Sequence, residues 1–133
     1  MSADVRWKQR FENFKKAFGL LEAAIQSPAP SKLEKEGIIQ RFEYTFELAW
    51  KTLKDYIRYG GIETDLPRQV IKEAFANGLI QNGQTWIEML ENRNLMAHTY
   101  DEHAFEQVYA KITKEYCAAI RQVFNLLSEK SVG

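Results

Sequence analysis

The sequence predicts an all-α fold: an up-and-down helical bundle, four-helix-bundle-like, with three long helices and two short ones. Three observations predict it. Apolar residues recur at steps of three and four over long segments, as one face of a 3.6-residue helix requires. No segment of useful length alternates apolar and polar residues in the manner of a half-buried strand. Most of the seven glycines and three prolines gather at the joints between periodic segments.

The first segment carries Trp7, Phe11, Phe14, Phe18, Leu21 and Ile25 at steps of 4-3-4-3-4, with Arg6, Lys8, Arg10, Lys15 and Lys16 off the stripe. Ser27-Pro28-Ala29-Pro30 stops this helix near Gln26, because proline lacks an amide hydrogen and restricts the residue before it. Ser31-Lys32-Leu33-Glu34 has the form of a capping box. Ile39, Phe42, Phe46, Ala49, Trp50, Leu53 and Ile57 then mark a second long helix, ended by Gly60-Gly61.

Pro67 suits the first position of a third helix, whose buried side is Val70, Ile71, Ala74 and Phe75 and whose end is Asn77-Gly78. Thr85-Trp86-Ile87-Glu88 repeats the capping-box pattern and opens a fourth helix through Met89 and Leu90 toward Ala97. Asp101 caps the last long helix, with Phe105, Val108, Ile112, Tyr116, Ala119, Val123 and Leu126 or Leu127 on its stripe. The two short helices together supply the fourth arm. On the second helix Phe42, Tyr44, Phe46, Trp50, Tyr56 and Tyr59 cover too wide an arc for one groove. Either that helix is central in its own bundle, or part of the arc meets a second copy.

The length of 133 residues corresponds to one domain, expected to span 1–133. Its 18 Lys+Arg balance 18 Asp+Glu, which excludes a blanket of basic charge and an acidic tail. A content of 45% apolar and 27% charged residues is that of a folded soluble domain. Cys117 is the only cysteine, so no intramolecular disulfide or cysteine metal cluster forms; a reducing cytosol fits. Two histidines, His98 and His103, cannot build a three-histidine zinc site in one protomer. No metal or other cofactor is expected. His103 lies in the first turn of the last helix and is expected to be exposed. The N-terminus has no apolar run for a signal peptide, and no stretch approaches a membrane span. The expected location is cytoplasmic, with no membrane association.

Glu91 to Asp101 concentrates polar and titratable side chains at a joint between helices. In an unbroken helix Asn94 and His98 are four apart and share a face. Arg93 lies about 100° from Asn94 around the axis, yet its length reaches the same space. If the helix breaks just after His98, Tyr100 turns back toward it. Such a set suits a phosphate, with arginine as a bidentate clamp, histidine as acid or base and asparagine as orienter. The same residues also fit plainer roles, His98 as a helix cap and Arg93 as a surface ion-pair partner of Glu88 or Glu91. Glu43, Glu47 and Lys51 follow one another at i,i+4 on the second helix. They form either a solvated face or the polar lining of the cleft opposite Arg93 and His98. Phosphate-loop, dinucleotide and zincin motifs are all missing.

The segments Phe42–Tyr56, Pro67–Phe75 and Met89–Tyr100 resemble, in order and spacing, the nucleotidyltransferase substrate-binding proteins. These are a branch of the HEPN superfamily of helical nucleotide-binding domains. Arg93 with His98 matches its R-x4-H core, and His98-Thr99-Tyr100 its H-x-Y extension. The resemblance extends from about Phe11 to Leu127. It implies a helical bundle, a homodimer whose cleft joins two R-x4-H motifs, and a separate minimal nucleotidyltransferase chain as partner.

The resemblance carries two roles. In one the chain is a non-catalytic subunit that binds a nucleotide or other substrate for its partner, through Arg93, Asn94, His98, Tyr100, Glu43, Glu47 and Lys51. In the alternative it is a metal-independent endoribonuclease toxin with Arg93 and His98 as catalytic residues. The nucleotidyltransferase is then the antitoxin, and it transfers AMP to Tyr100. A nonspecific RNA binder would carry a basic surface, so the neutral balance favours the binding role.

Overall fold

The computed structural model describes residues 2–94 and 101–132, and the regular structure among them is helical throughout. Helix α1 spans Ala3–Ile25, α2 Lys32–Tyr59, α3 Pro67–Ala76 and α4 Gly83–Glu91. The last long helix is a continuous run of α5 (Glu102–Lys111), a π-helical turn (Ile112–Tyr116) and α6 (Cys117–Ser131).

The apolar stripe of α1 is buried at Trp7, Phe11, Phe14, Ala17, Phe18 and Leu21. Its end at Ile25 and the start of α2 follow from the intervening prolines and from Ser31. The Glu34 amide donates to Ser31 Oγ at 3.1 Å, and the Ser31 amide to Glu34 Oε1 at 2.9 Å. Both halves of the predicted capping box are therefore present, and those bonds hold the Glu34 carboxyl below its usual pKa. Helices α1 and α2 run antiparallel. Trp7 meets the Tyr56 ring edge-on at 4.8 Å, Arg10 Nε donates to Asp55 Oδ2 at 3.0 Å, and Arg41 Nη1 to the Leu20 carbonyl at 3.0 Å.

Helix α2 is the central member. Phe42 stacks on Tyr116 at 5.4 Å and Phe46 lies against Trp86 at 5.8 Å, so α2 contacts the last helix and α4 besides α1. On the far side of α1, Phe124 closes against Phe11, Phe14 and Phe18 at 5.5, 5.6 and 5.1 Å. The wide aromatic arc of α2 thus divides. Phe42, Phe46 and Trp50 are buried within the bundle, whereas Tyr44 and Tyr59 are exposed. Helices α3 and α4 form an antiparallel hairpin, with Arg68 of α3 paired to Glu91 of α4 at 3.3 Å, and occupy the place of the fourth arm. Pro67 is at the first turn of α3, and Gly78, at φ +75°, follows its end.

Four expectations need correction. Phe75 is not on the buried side of α3 with Val70, Ile71 and Ala74 but is exposed. Thr85 does not cap α4: the helix starts at Gly83, and Asn82 is the cap, accepting from the Thr85 amide at 3.1 Å. Asparagine is the better cap, and it puts Thr85 at the third helical position. Helix α4 does not continue toward Ala97 but ends at Glu91, with Asn92 as C-cap and Arg93 and Asn94 in a turn. The last helix is not uniformly α-helical. Ile112, Tyr116 and Ile120 are all buried at steps of four, and each such step overshoots an α-helical turn by about 40°. The helix widens there into a π-turn: the Cys117 amide reaches back to the Ile112 carbonyl, and Thr113 Oγ1 donates to the Tyr109 carbonyl at 3.2 Å. Tyr116, at the end of that turn, lies beside Glu88 and Asn92 at the end of α4. Asp101 does cap the last helix, through the His103 amide, and His103 is exposed.

The buried polar groups carry two testable consequences. Asp55 is 2% exposed while its partner Arg10 is one-third exposed. Arg10→Ala strands a buried carboxylate and should cost about 3 kcal/mol in urea unfolding. Asp55→Ala leaves only a half-solvated guanidinium and should cost about 1 kcal/mol; equal losses would contradict this asymmetry. Burial, set against the Asn92 hydrogen bond, pushes the Tyr116 phenol up to about 12. The unfolded chain releases that proton near pH ~10, so this contribution is whole below ~10 and lost as pH rises through about 12. Unfolding of Tyr116→Phe should depend less on pH across that window than unfolding of the native chain.

Candidate functional site

Glu47, one residue after the buried Phe46, emerges from α2 at mid-bundle, where the end of α4 passes. Its carboxylate gathers three partners. Trp50 Nε1 donates to Oε2 at 3.0 Å, Lys51 Nζ lies 3.9 Å from Oε2, and Arg93 Nη1 lies 4.0 Å from Oε1. Lys51 also sits over the Trp50 ring at 5.9 Å. Of the residues expected to form the site, the fold therefore brings Glu47, Lys51 and Arg93 together. Arg93 does not pair with its sequence neighbours, because Glu91 is held by Arg68 and Glu88 by Lys111.

Glu43 is partly buried one turn earlier on α2. Asn94 is exposed in the turn after α4. With Arg93 it lines a shallow groove of about 370 Å³ walled by Leu66, Pro67 and Arg68 from the start of α3 and by Leu90. Asn94 lies beyond the end of α4, and the face it was expected to share with His98 falls outside the described residues. His98 and Tyr100 lie outside the described residues. The Arg93 side chain is 41% exposed. Among the described residues its ion-pair partner is Glu47, and the exposure leaves it open to an anion, as a phosphate clamp requires.

A second, larger groove of about 690 Å³ lies between the end of α4 and the last helix. Glu88, Asn92, Val108, Lys111, Lys114 and Tyr116 are among its lining residues. Lys111 Nζ bridges Glu88 at 3.3 Å and Glu115 at 2.9 Å, and these bonds raise its pKa. None of these residues was singled out as a site from the sequence. The sequence offers no local signal for them: the π-turn that places Tyr116 is of a kind common at functional sites, but the steps of four through it also occur in α2, which is regular. No group of three His, Cys, Asp or Glu side chains among the described residues is placed to hold a metal ion. No helix among them is long and apolar enough to cross a membrane.

Comparison with known proteins joins these features to a family. A crystal structure from Thermus thermophilus superposes with a TM-score of 0.78 at 33% identity, covering 86% of this chain and 98% of the other. The structure of HI0074 from Haemophilus influenzae, described as revealing the fold of a substrate binding domain of a nucleotidyltransferase, has a TM-score of 0.75 at 26% identity. It covers 89% of this chain and 98% of that one, so the all-α arrangement is the HI0074-like fold. A Haemophilus influenzae protein named probable ribonuclease HepT is 35% identical over 81 residues. That match takes in 57% of this chain and 56% of the relative, so it spans little more than half of the relative's length. Residues 9–129 match the family model described as nucleotidyltransferase substrate binding protein like, and the chain belongs to that family.

Proposed function

We propose that the chain is a metal-independent endoribonuclease of the R-x4-H type, working as a homodimer and held in check by a separate nucleotidyltransferase. This reverses the order of roles expected from net charge. The similarity to a protein named as a probable ribonuclease supports the reversal. The observation that carries the reading is the seat of Arg93: a half-exposed side chain tethered to Glu47 at the head of the motif. A local clamp of this kind handles one phosphate without a basic surface, so a balance of 18 against 18 charges no longer counts against RNA.

The chemistry is balanced without a metal. One His98 takes the proton of the 2′-hydroxyl as the 2′-oxygen attacks phosphorus. The P–O5′ bond breaks, and the second His98 of the dimer protonates the departing oxygen. The products are a 2′,3′-cyclic phosphate and a 5′-hydroxyl end. Arg93 stabilises the charge that gathers on the non-bridging oxygens. AMP on Tyr100, two residues from His98, adds bulk and negative charge that competes for Arg93.

A second reading, a non-catalytic substrate-binding subunit for the nucleotidyltransferase, draws on the family description and on that of HI0074. The two readings separate in one assay. Purified chain should cleave RNA in excess EDTA. Arg93→Ala and His98→Ala should each reduce cleavage about 100-fold or more. Cleavage that survives His98→Ala would sink the nuclease mechanism, and RNA left intact by the native chain would favour the binding subunit. Coexpression with the partner nucleotidyltransferase should add the mass of AMP to the native chain and none to Tyr100→Phe. A mass gain persisting in that variant would exclude Tyr100 as the acceptor.

A further inference from the structure

We propose that the groove between the end of α4 and the π-turn is a subsite for one nucleoside monophosphate unit, next to the Arg93 clamp. That its ligand is one unit of an RNA strand rests on the ribonuclease reading; the site itself rests on three features of the groove.

Its volume of about 690 Å³ exceeds that of the Arg93–Asn94 groove, about 370 Å³, and suits a ligand the size of a nucleotide. Its walls are mixed in the way a base requires. Ala104, Val108 and Ala110 give a smooth apolar side, while the Asn92 and Gln107 amides supply donors and acceptors for a base edge.

The charges define how much phosphate the groove accepts. Glu88 and Glu115 share Lys111, at 3.3 and 2.9 Å, so that lysine is committed. Lys114, on the same rim, makes no ion pair among the described residues. With Lys111 and Lys114 set against Glu88 and Glu115 the rim is balanced in charge, and Lys114 is the lining lysine left to meet a single phosphate. A triphosphate or a phosphate run would meet Glu88 and Glu115 without further cations to offset them.

The groove is also walled by a fixed ring, and it meets the end of α4 one residue before the clamp. Phe42 stacks on the Tyr116 ring at 5.4 Å, and Tyr116 lines the groove together with Asn92 and Glu88. Asn92 closes this groove and Arg93, the next residue, lines the neighbouring one. A strand crossing the end of α4 would therefore seat one nucleotide against Tyr116 and present the adjoining phosphate to Arg93.

The test is titration of the full chain with AMP and with CMP, followed by NMR. The native chain should bind at least one of them. Ala104→Phe, which fills the groove, and Lys114→Glu, an exposed position whose change spares the core, should each weaken binding about tenfold or more. Absence of binding by the native chain, or undiminished binding by a folded Lys114→Glu together with Ala104→Phe, overturns the subsite. So does loss of the dimer in Ala104→Phe, which would assign the groove to a second copy. RNA cleavage is scored separately. Cleavage without mononucleotide binding removes the subsite alone, and binding without cleavage removes the nuclease reading alone.

Discussion

Helix α2 must satisfy several neighbours at once, and the register in which it does so fixes the rest of the molecule. Phe42, Phe46, Ala49 and Leu53 are fully buried along it, and each turn is committed to a different partner. Tyr56 and Asp55 meet α1, Phe46 meets Trp86 of α4, and Phe42 meets Tyr116 of the last helix. Interiors packed to crystal-like density do not let such a helix slide or rotate. The polar residues of α2 are therefore placed by the apolar ones. Glu47 faces the end of α4 because Phe46 and Trp50, on either side of it, are locked into the core.

That constraint explains how a precise site arises from weak contacts. The Glu47–Arg93 and Glu47–Lys51 pairs are long, at 4.0 and 3.9 Å, and each side chain is more than a third exposed. Pairs of this kind contribute roughly 0–1 kcal/mol and are screened by salt. They do not hold the bundle together. Their value is positional: Arg93 is kept near one place at little energetic cost, and a phosphate with better geometry can displace Glu47. The stable pair lies elsewhere, at Arg10–Asp55, where a carboxylate 2% exposed ties α1 to α2 far along the chain from the motif.

What is legible in the sequence divides along the same line. The long stripes of α1 and α2 can be read because each core contact repeats every three or four residues, and the Ser31–Glu34 box because both partners lie within one turn. Asn82 escapes such a reading because Thr85-x-x-Glu88 satisfies the same local pattern; only the position of the α3–α4 turn decides between them. The end of α4 is easily placed too late because Leu95, Met96 and Ala97 continue an apolar, helix-favouring composition beyond Asn92. The tie of Arg93 to Glu47 depends on how two helices pack, which no local pattern encodes, so in the sequence Glu88 and Glu91 are equally eligible as its partners.

The π-turn is the instructive case, since no local pattern marks it. Ile112, Tyr116 and Ile120 at steps of four look like an ordinary stripe, yet three such residues cannot share one α-helical face without drift. The same spacing at Phe42, Phe46 and Trp50 leaves α2 regular, so the spacing alone does not call for a wider turn. In the last helix the turn lies between stretches held in the core by Phe105 on one side and by Val123 and Leu127 on the other. The wider turn leaves Tyr116 buried while bringing its hydroxyl to the last turn of α4. A departure from regular geometry in the last helix thus shapes the groove whose other wall is Asn92, the residue before the arginine of the motif.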